Sequence, residues 1–400
     1  MAKRTFRKAS RLAVTQRSRR GIVYKQRETR RKPAEFAGIA NMKKILMTGG
    51  GSAGHVTPNI ALMKGLREHG FEIHYAGLKD GIEYGLISSI EGVTFHPIES
   101  GKLRRYFSLR NLASPFKVLK GIRQAKRLVN DLKPDVVFSK GGFVSVPVVM
   151  AAAGKYPVVC HESDYTPGLA NRIASKYADT VCVTFEDTIG KSDAKIAKKM
   201  VHTGTPIRPE LYDGVREKGL EAMGFSGKKT VLMVMGGSLG AAAVNDGVRA
   251  ALPELLKTFD VVHLCGKGKV DSGIKTSGYR QFEYVGKELP DMMAATDIVI
   301  SRAGANAVFE FMSLGIPALL IPLPLEASRG DQILNADYVV KKGYAMKLDQ
   351  KDITSETLVR MIGELWSKRD GMRSMMQKDS LLDGTDEVLA EIFKAAERRG

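Results

Sequence analysis

The stretch Lys43-Lys44-Ile45-Leu46-Met47-Thr48-Gly49-Gly50-Gly51-Ser52-Ala53-Gly54-His55 decides the fold. Ile45 to Met47 is an apolar run inside a predicted strand from Lys43 to Thr48, a glycine-rich loop follows, and a helix is predicted to open at Val56. Glycine lets main-chain N–H groups approach a ligand, and the N-terminus of the following helix adds partial positive charge, which suits phosphate or another anionic group. The same context returns at Gly236-Gly237-Ser238-Leu239-Gly240, behind a predicted strand from Thr230 to Met235. Two such loops predict two nucleotide-fold halves facing one cleft.

Outward from the first loop, apolar runs at Phe71 to Ala76, Val93 to Pro97, Val136 to Phe138, Val158 to Cys160 and Val181 to Val183 alternate with helix-length segments. This is the pattern of repeated βα units and a parallel sheet. After the turn-rich Thr203-Gly204-Thr205-Pro206 it restarts with Thr230 to Met235, Val261 to Cys265, Phe282 to Val285, Ile298 to Ile300 and Ala318 to Ile321. The expected fold class is therefore α/β, with two Rossmann-like domains over residues 42–203 and 204–370. Near the end, Leu358, Met361, Ile362 and Leu365 share one helical face, as do Val388, Leu389, Ile392 and Phe393. Helices over residues 371–400 are expected to pack back on the first domain.

Composition narrows the class. The chain has 400 residues, 44% hydrophobic and 26% charged, enough for a large core in two or three domains. No apolar run approaches the ~18 residues that span a bilayer, since Pro147 breaks the run from Val144 to Ala153 and Gly315 to Leu325 holds three prolines. Cys160, Cys182 and Cys265 lie far apart in strand-like runs and read as buried thiols in a reducing compartment. The net charge of +19 is lopsided: residues 1–41 hold thirteen Lys and Arg against two Glu. That segment has no sustained periodicity and no signal-peptide core. It is expected to be a disordered basic extension ahead of a natural start at Met42; contact with anionic lipid or nucleic acid is the alternative.

Several motifs invite sharper readings. Gly49-x-Gly51-x-x-Gly54 fits the dinucleotide fingerprint, but the region roughly 20 residues on, where an acidic residue would bond the ribose, reads His74-Tyr75-Ala76-Gly77-Leu78. Gly236-x-Ser238-x-Gly240 fits a nucleophile elbow, yet the only later histidine, His263, lies in the middle of the very next predicted strand, which does not suit the order Ser, Asp, His of that fold. Ser238 is therefore read as a helix N-cap holding phosphate. Ser301-Arg302-Ala303-Gly304-Ala305-Asn306 makes a third turn of this kind, with Glu310 six residues past Gly304, placed to accept both hydroxyls of a ribose. No two aspartates are two apart, so the Asp-x-Asp of metal-using glycosyl transfer is absent, and helix N-termini with Arg208 are left to neutralise a departing diphosphate. His55, at the tip of the first loop, has an ordinary pKa of ~6.5 suited to general base catalysis, and Asp164 in His161-Glu162-Ser163-Asp164 is its rival. Leu103, Arg104, Arg105, Tyr106 and Phe107, continuing through Lys120, mix bulky apolar side chains with cations and suit anionic lipid headgroups; a core-facing helix with solvated charges is the alternative.

Taken together, these motifs resemble the MurG family, the UDP-N-acetylglucosamine:undecaprenyl-pyrophosphoryl-N-acetylmuramoyl-pentapeptide N-acetylglucosamine transferases of bacterial peptidoglycan synthesis. The likeness runs from Met42 to the C-terminus. It is carried by Gly50 to His55, Lys140-Gly141-Gly142-Phe143, His161-Glu162, Pro167 to Asn171, Gly204 to Arg208, Gly236 to Gly240, Arg302 to Glu310, and Asp331-Gln332 with Asn335. The resemblance implies the GT-B architecture and an inverting transfer; no cofactor is expected, and without Asp-x-Asp no metal. It implies that Arg208 and Ser238 meet the donor diphosphate, Glu310 the ribose, Val285 the uracil, and Ala305, Asn306, Ala307, Gln332 and Asn335 the rest of UDP-N-acetylglucosamine. Ser52, Ala53 and Gly54 would meet the undecaprenyl-pyrophosphate-linked acceptor. It also implies a peripheral place on the cytoplasmic face of the cell membrane, with no nucleic-acid partner. Asp164 and Asp331 depart from the commoner Asn and Gln of the family. Another GT-B transferase with a different lipid acceptor, or a UDP-N-acetylglucosamine epimerase, remains the alternative.

Overall fold

A computed structural model describes residues 42–100, 114–237 and 241–398. The first sheet takes the strands β1 (Lys43–Thr48), β2 (Phe71–Gly77), β3 (Val93–Pro97), β4 (Val136–Ser139), β5 (Val158–Glu162), β6 (Thr180–Val183) and β7 (Met200–His202). Their order is 3-2-1-4-5-6-7 and every pairing is parallel. The second sheet takes β8 (Thr230–Met235), β9 (Phe259–Leu264), β10 (Tyr279–Phe282), β11 (Ile298–Ser301), β12 (Ala318–Leu320) and β13 (Ala345–Lys347), in the order 10-9-8-11-12-13 and again all parallel.

Helices cover both faces of such sheets, so their central strands are written as unbroken apolar runs. Ile45, Leu46 and Met47 of β1 and Val231 to Val234 of β8 are fully buried. In each sheet the strand order reverses at the first strand, between β1 and β4 and between β8 and β11. Ligands of open α/β sheets bind in the crevice at the carboxyl ends of strands flanking such a reversal. The glycine loops after β1, β4, β8 and β11 all leave from those four strand ends.

The edges are where the sequence reading slips. The third strand of the second half was expected over Phe282 to Val285 but runs Tyr279–Phe282, and β7 and β13 have no counterpart among the expected strands. All three lie toward the rim of a sheet, where half-exposed positions such as Gln281 and Lys347 dilute the apolar signal. The long helix Ser355–Met376 packs on the second sheet, with Leu358, Ile362, Leu365, Met372 and Met376 in that domain's core. Residues beyond the expected boundary at 370, from Met372 and Met376 to Leu382, belong to the second domain's core. Only the helix Thr385–Glu397 lies on the first sheet, where Val388, Leu389 and Ile392 join Ile45, Met47, Val136 and Phe138. Each such side chain contributes ~1.5–3 kcal/mol relative to exposure, which anchors this helix away from its sequence neighbours. The outward and return crossings run side by side, with Gly384 N–H donating to the Thr205 carbonyl at 2.9 Å and Ile207 N–H to Thr385 Oγ1 at 3.0 Å.

Candidate active site

The first glycine loop ends in a single 3-10 turn, Ala53–His55, before the helix Thr57–Glu68. It is pinned from beneath. Tyr75 OH donates to the Gly49 carbonyl at 2.7 Å, and buried Asn59 donates to the Thr48 and His55 carbonyls, each at 3.3 Å. Glu83, fully buried, holds one donor of the loop: it accepts from Gly51 N–H at 3.2 Å and from Leu78 N–H at 3.0 Å. A carboxylate therefore occupies the main-chain donor that the sequence offered to phosphate. Gly142, at φ +82°, passes so close that a Cβ there would run into the Gly50 carbonyl and stand 3.1 Å from His55 Nδ1.

His55 Nδ1 lies 3.1 Å from the Gly50 carbonyl and 3.1 Å from Ser52 Oγ. A carbonyl only accepts, so Nδ1 carries the hydrogen and Nε2 keeps its lone pair. Burial first, then the charges of Lys140 and Arg329, pull the imidazole down to about 4, against a rise from the Gly50 bond and Glu83. At neutral pH His55 is a neutral imidazole with its basic nitrogen available.

Lys140, directly after β4, is 1% exposed. Its ammonium donates to His161 Nδ1 at 2.7 Å and to Ser163 Oγ. His161 Nε2–H in turn donates to the Gly204 carbonyl at 2.9 Å, which fixes the tautomer. Burial lowers the Lys140 ammonium far below its ordinary range, while Glu162 and Asp164 oppose the fall. Glu162 shapes the next loop, accepting from Asp164 N–H, Gly168 N–H and Asn171 Nδ2 at 2.9, 3.1 and 2.9 Å.

The second domain meets this cluster directly. Asn306, on the helix Ala305–Ser313, accepts from Ser163 Oγ at 3.1 Å and donates to the Gly54 carbonyl at 2.8 Å. Asn335 is buried, accepts from Tyr165 N–H at 2.9 Å, and donates to Asp164 Oδ1 and the Ala303 carbonyl, each at 3.1 Å. It joins the two domains here, at a residue that the resemblance assigns to the donor. Gln332 Oε1 accepts from Leu323 N–H at 3.0 Å, and Val285 and Ala305 are buried while Ala307 is half-buried. Arg208 and Glu310 are clasped: Nε to Oε1 at 2.8 Å and Nη2 to Oε2 at 3.1 Å, with the pair mostly buried. The sequence treats these two as separate ligands to diphosphate and ribose; the fold makes them a fork-to-fork pair, with Nη1 of Arg208 outside it. Arg302 is spent on the Ile321 and Pro322 carbonyls and on Gln350.

Ser238 and the patch Leu103, Arg104, Arg105, Tyr106 and Phe107 lie outside the described residues. The helix after the second loop begins at Ala242 with Ala241 at its N-cap, so the cap expected of Ser238 falls three residues later. Among the described residues no helix is long and apolar enough to cross a membrane.

Residues 45–183 match the glycosyltransferase family 28 N-terminal domain, and residues 231–389 match the glycosyltransferase family 28 C-terminal domain. The chain belongs to glycosyltransferase family 28. Within family 28 it is 50% identical over 355 residues to a UDP-N-acetylglucosamine--N-acetylmuramyl-(pentapeptide) pyrophosphoryl-undecaprenol N-acetylglucosamine transferase of Clostridium perfringens, covering 88% of this chain and 98% of the relative. A Bacillus cereus transferase of the same name, numbered 2, is 51% identical over 356 residues, covering 88% and 100%. Among solved structures, MurG of Acinetobacter baumannii superposes with a TM-score of 0.68 at 26% identity, over 88% of this chain and 99% of that one. A UDP-GlcNAc 2-epimerase of Neisseria meningitidis, bound to UDP-GlcNAc, reaches 0.62 at 14% identity over 89% and 100%, a likeness of fold alone. The family 28 chain is thus a glycosyltransferase of GT-B architecture, as the resemblance implies, and its two parallel-sheet halves are those that the two glycine loops and alternating strands predict.

The residues that sequence reasoning passed over are Glu83, Ser163 and the side-chain role of Lys140. Lys140 stands in a motif that carried the resemblance, but its burial has no local signal. Glu83 reads as any glutamate in the first turn of a short helix.

Proposed function

We propose that this chain transfers N-acetylglucosamine from UDP-N-acetylglucosamine to the 4-hydroxyl of undecaprenyl-pyrophosphoryl-N-acetylmuramoyl-pentapeptide. The observation that carries the reading is identity of about one residue in two, across 88% of the chain, to enzymes named for that transfer. The cleft supports it chemically. His55 Nε2 takes the proton of the acceptor hydroxyl as its oxygen bonds the anomeric carbon from the face opposite the leaving group. The bond from that carbon to the diphosphate oxygen breaks, the configuration inverts, and UDP leaves with the electron pair. A bound diphosphate brings negative charge into the cleft, which raises the depressed His55 value and strengthens the base as the complex forms.

In this reading the domain over residues 204–370 binds the donor: Arg208, Ser238 and the N-terminus of the helix at Ala305 neutralise the diphosphate, and Glu310 takes the ribose. Val285 meets the uracil, while Ala305, Asn306, Ala307 and Gln332 line the sugar. Ser52, Ala53 and Gly54 on the first domain receive the acceptor. Asp164, held by Asn335, is the weaker choice of base, because its carboxylate already accepts a bond that joins the domains. The basic-aromatic patch from Leu103 to Phe107 rests on anionic headgroups at the cytoplasmic face, where each cation contributes ~1 kcal/mol, and the enzyme is peripheral.

The test is incubation of the full chain with labelled UDP-N-acetylglucosamine and a lipid-linked muramoyl-pentapeptide. Label is expected in a disaccharide on the lipid. Conversion of the nucleotide sugar to its 2-epimer, with no label on lipid, sinks the proposal.

A further inference from the structure

A chain of donors runs from the first domain to the second and back to the first. It begins at the Lys140 ammonium, which can only donate, passes to Ser163 Oγ, continues from that hydroxyl to Asn306 Oδ1 at 3.1 Å, and ends from Asn306 Nδ2 on the Gly54 carbonyl at 2.8 Å. Gly54 is the residue before His55. Of the four groups, two belong to the first sheet's strand ends, one to the donor-domain helix and one to the loop of the candidate base. The orientation is set from both ends: Lys140 donates to Ser163 Oγ, and the Gly54 carbonyl only accepts, so Asn306 presents Nδ2 to it and Oδ1 to the serine hydroxyl.

We propose that Lys140 is a positioning residue for the transfer: through Ser163 and Asn306 its ammonium holds the His55 loop against the donor-binding helix. This deepens the reading of His55 as the base and rests on it. A buried cation is retained here although an apolar side chain of the same length would fill the space at no desolvation cost. Its bonds explain the retention. His161, locked as an acceptor by the Gly204 carbonyl, and Ser163 take two of its hydrogens, and Glu162 and Asp164 lie close enough to hold its charge.

The same ammonium acts on His55 through space. The charged groups facing His55 are Lys140 and Arg329, which disfavour its protonation, and Glu83, which favours it. Those facing Lys140 are His161, Glu162, Asp164 and the Cys182 thiol. Removing the Lys140 charge therefore leaves His55 easier to protonate, and the acid limb of the turnover profile moves to higher pH. A residue that merely filled space would leave that limb where it is.

The experiment compares Lys140→Met, Ser163→Ala and His55→Ala in the full chain, measuring kcat across pH with UDP-N-acetylglucosamine and lipid-linked acceptor, and UDP affinity by calorimetry. Misplacement of about 1 Å at a reacting group costs on the order of 10²-fold. Lys140→Met is expected to lose about 10- to 100-fold in kcat, with its acid limb shifted upward. Ser163→Ala, which cuts the chain and keeps the charge, is expected to lose kcat with the limb in place. If His55→Ala abolishes turnover while Lys140→Met keeps wild-type kcat and an unmoved limb, the inference is overturned and the base reading stands. If His55→Ala retains turnover, the base reading falls, and wild-type kcat in Ser163→Ala overturns the inference separately. Should Lys140→Met fail to fold, Ser163→Ala decides alone: normal kcat refutes the relay and loss of kcat upholds it.

Discussion

Removing the guanidinium in Arg208→Ala separates the two roles that the Arg208–Glu310 pair can have. In the structure the pair is bidentate at 2.8 and 3.1 Å, with side chains 23% and 12% exposed, so its bonds are largely shielded from water. A hydrogen bond to a charged group contributes ~1.5–3 kcal/mol, and ~1.4 kcal/mol is a factor of ten. Loss of one guanidinium–diphosphate contact is thus expected to weaken UDP binding by about 10- to 150-fold. Glu310 loses its partner as well, and a largely buried carboxylate left alone costs stability of about 1–3 kcal/mol. The assay is calorimetric titration with UDP beside urea unfolding, for Arg208→Ala, Glu310→Gln and the double variant. If both residues meet the nucleotide, each single variant weakens UDP and the double loses less than the two losses added, because they are in contact. Unchanged UDP affinity in both singles, with stability reduced, would refute the donor-site assignment and leave the pair a structural clasp.

Gly142→Ala is expected to cost ~1–3 kcal/mol through its positive φ and to lower turnover by displacing the Gly50 carbonyl that orients His55. Gly154→Ala, at φ +72° with open space around its Cβ, is the control, and equal turnover losses in both would refute the reasoning. Burial depresses His55, His161 and His263 below their unfolded value of 6.5, so below that pH the unfolded chain binds more protons. The stability these neutral rings contribute is complete above pH 6.5 and is lost as pH falls toward their folded values; urea midpoints independent of pH between about 7 and about 4.5 contradict this. Excess chelator is expected to leave turnover intact, since cations and helix N-termini neutralise the leaving group, and activity lost to chelator but restored by a divalent ion opposes this. Leu103, Tyr106 and Phe107 changed together to Ser are expected to reduce binding to anionic vesicles with UDP affinity kept; unaltered vesicle binding removes the patch from the membrane account.

The residues from Lys43 to His55, read alone, specify strand, glycine loop and helix, because buried parallel strands are apolar on both faces and tight βα turns need glycine. Those are local requirements, and a local code records them. For the same reason the strand before the second loop and the amphipathic face of the last helix are legible in the amino-acid sequence alone. Rim strands such as Tyr279–Phe282 are less so, since one side of each meets solvent and a mixed composition satisfies it. What the tertiary structure alone decides is partnership. Glu83 meets Gly51 across 32 residues, Arg208 meets Glu310 across 102 residues, and Ser163 meets Asn306 across 143. Nothing in the chain near Lys140 distinguishes a buried ammonium from a solvated one. That distinction arises when β4, β5 and the helix Ala305–Ser313 converge, because a side chain's solvation and charge depend on which distant groups the fold brings within a few ångströms.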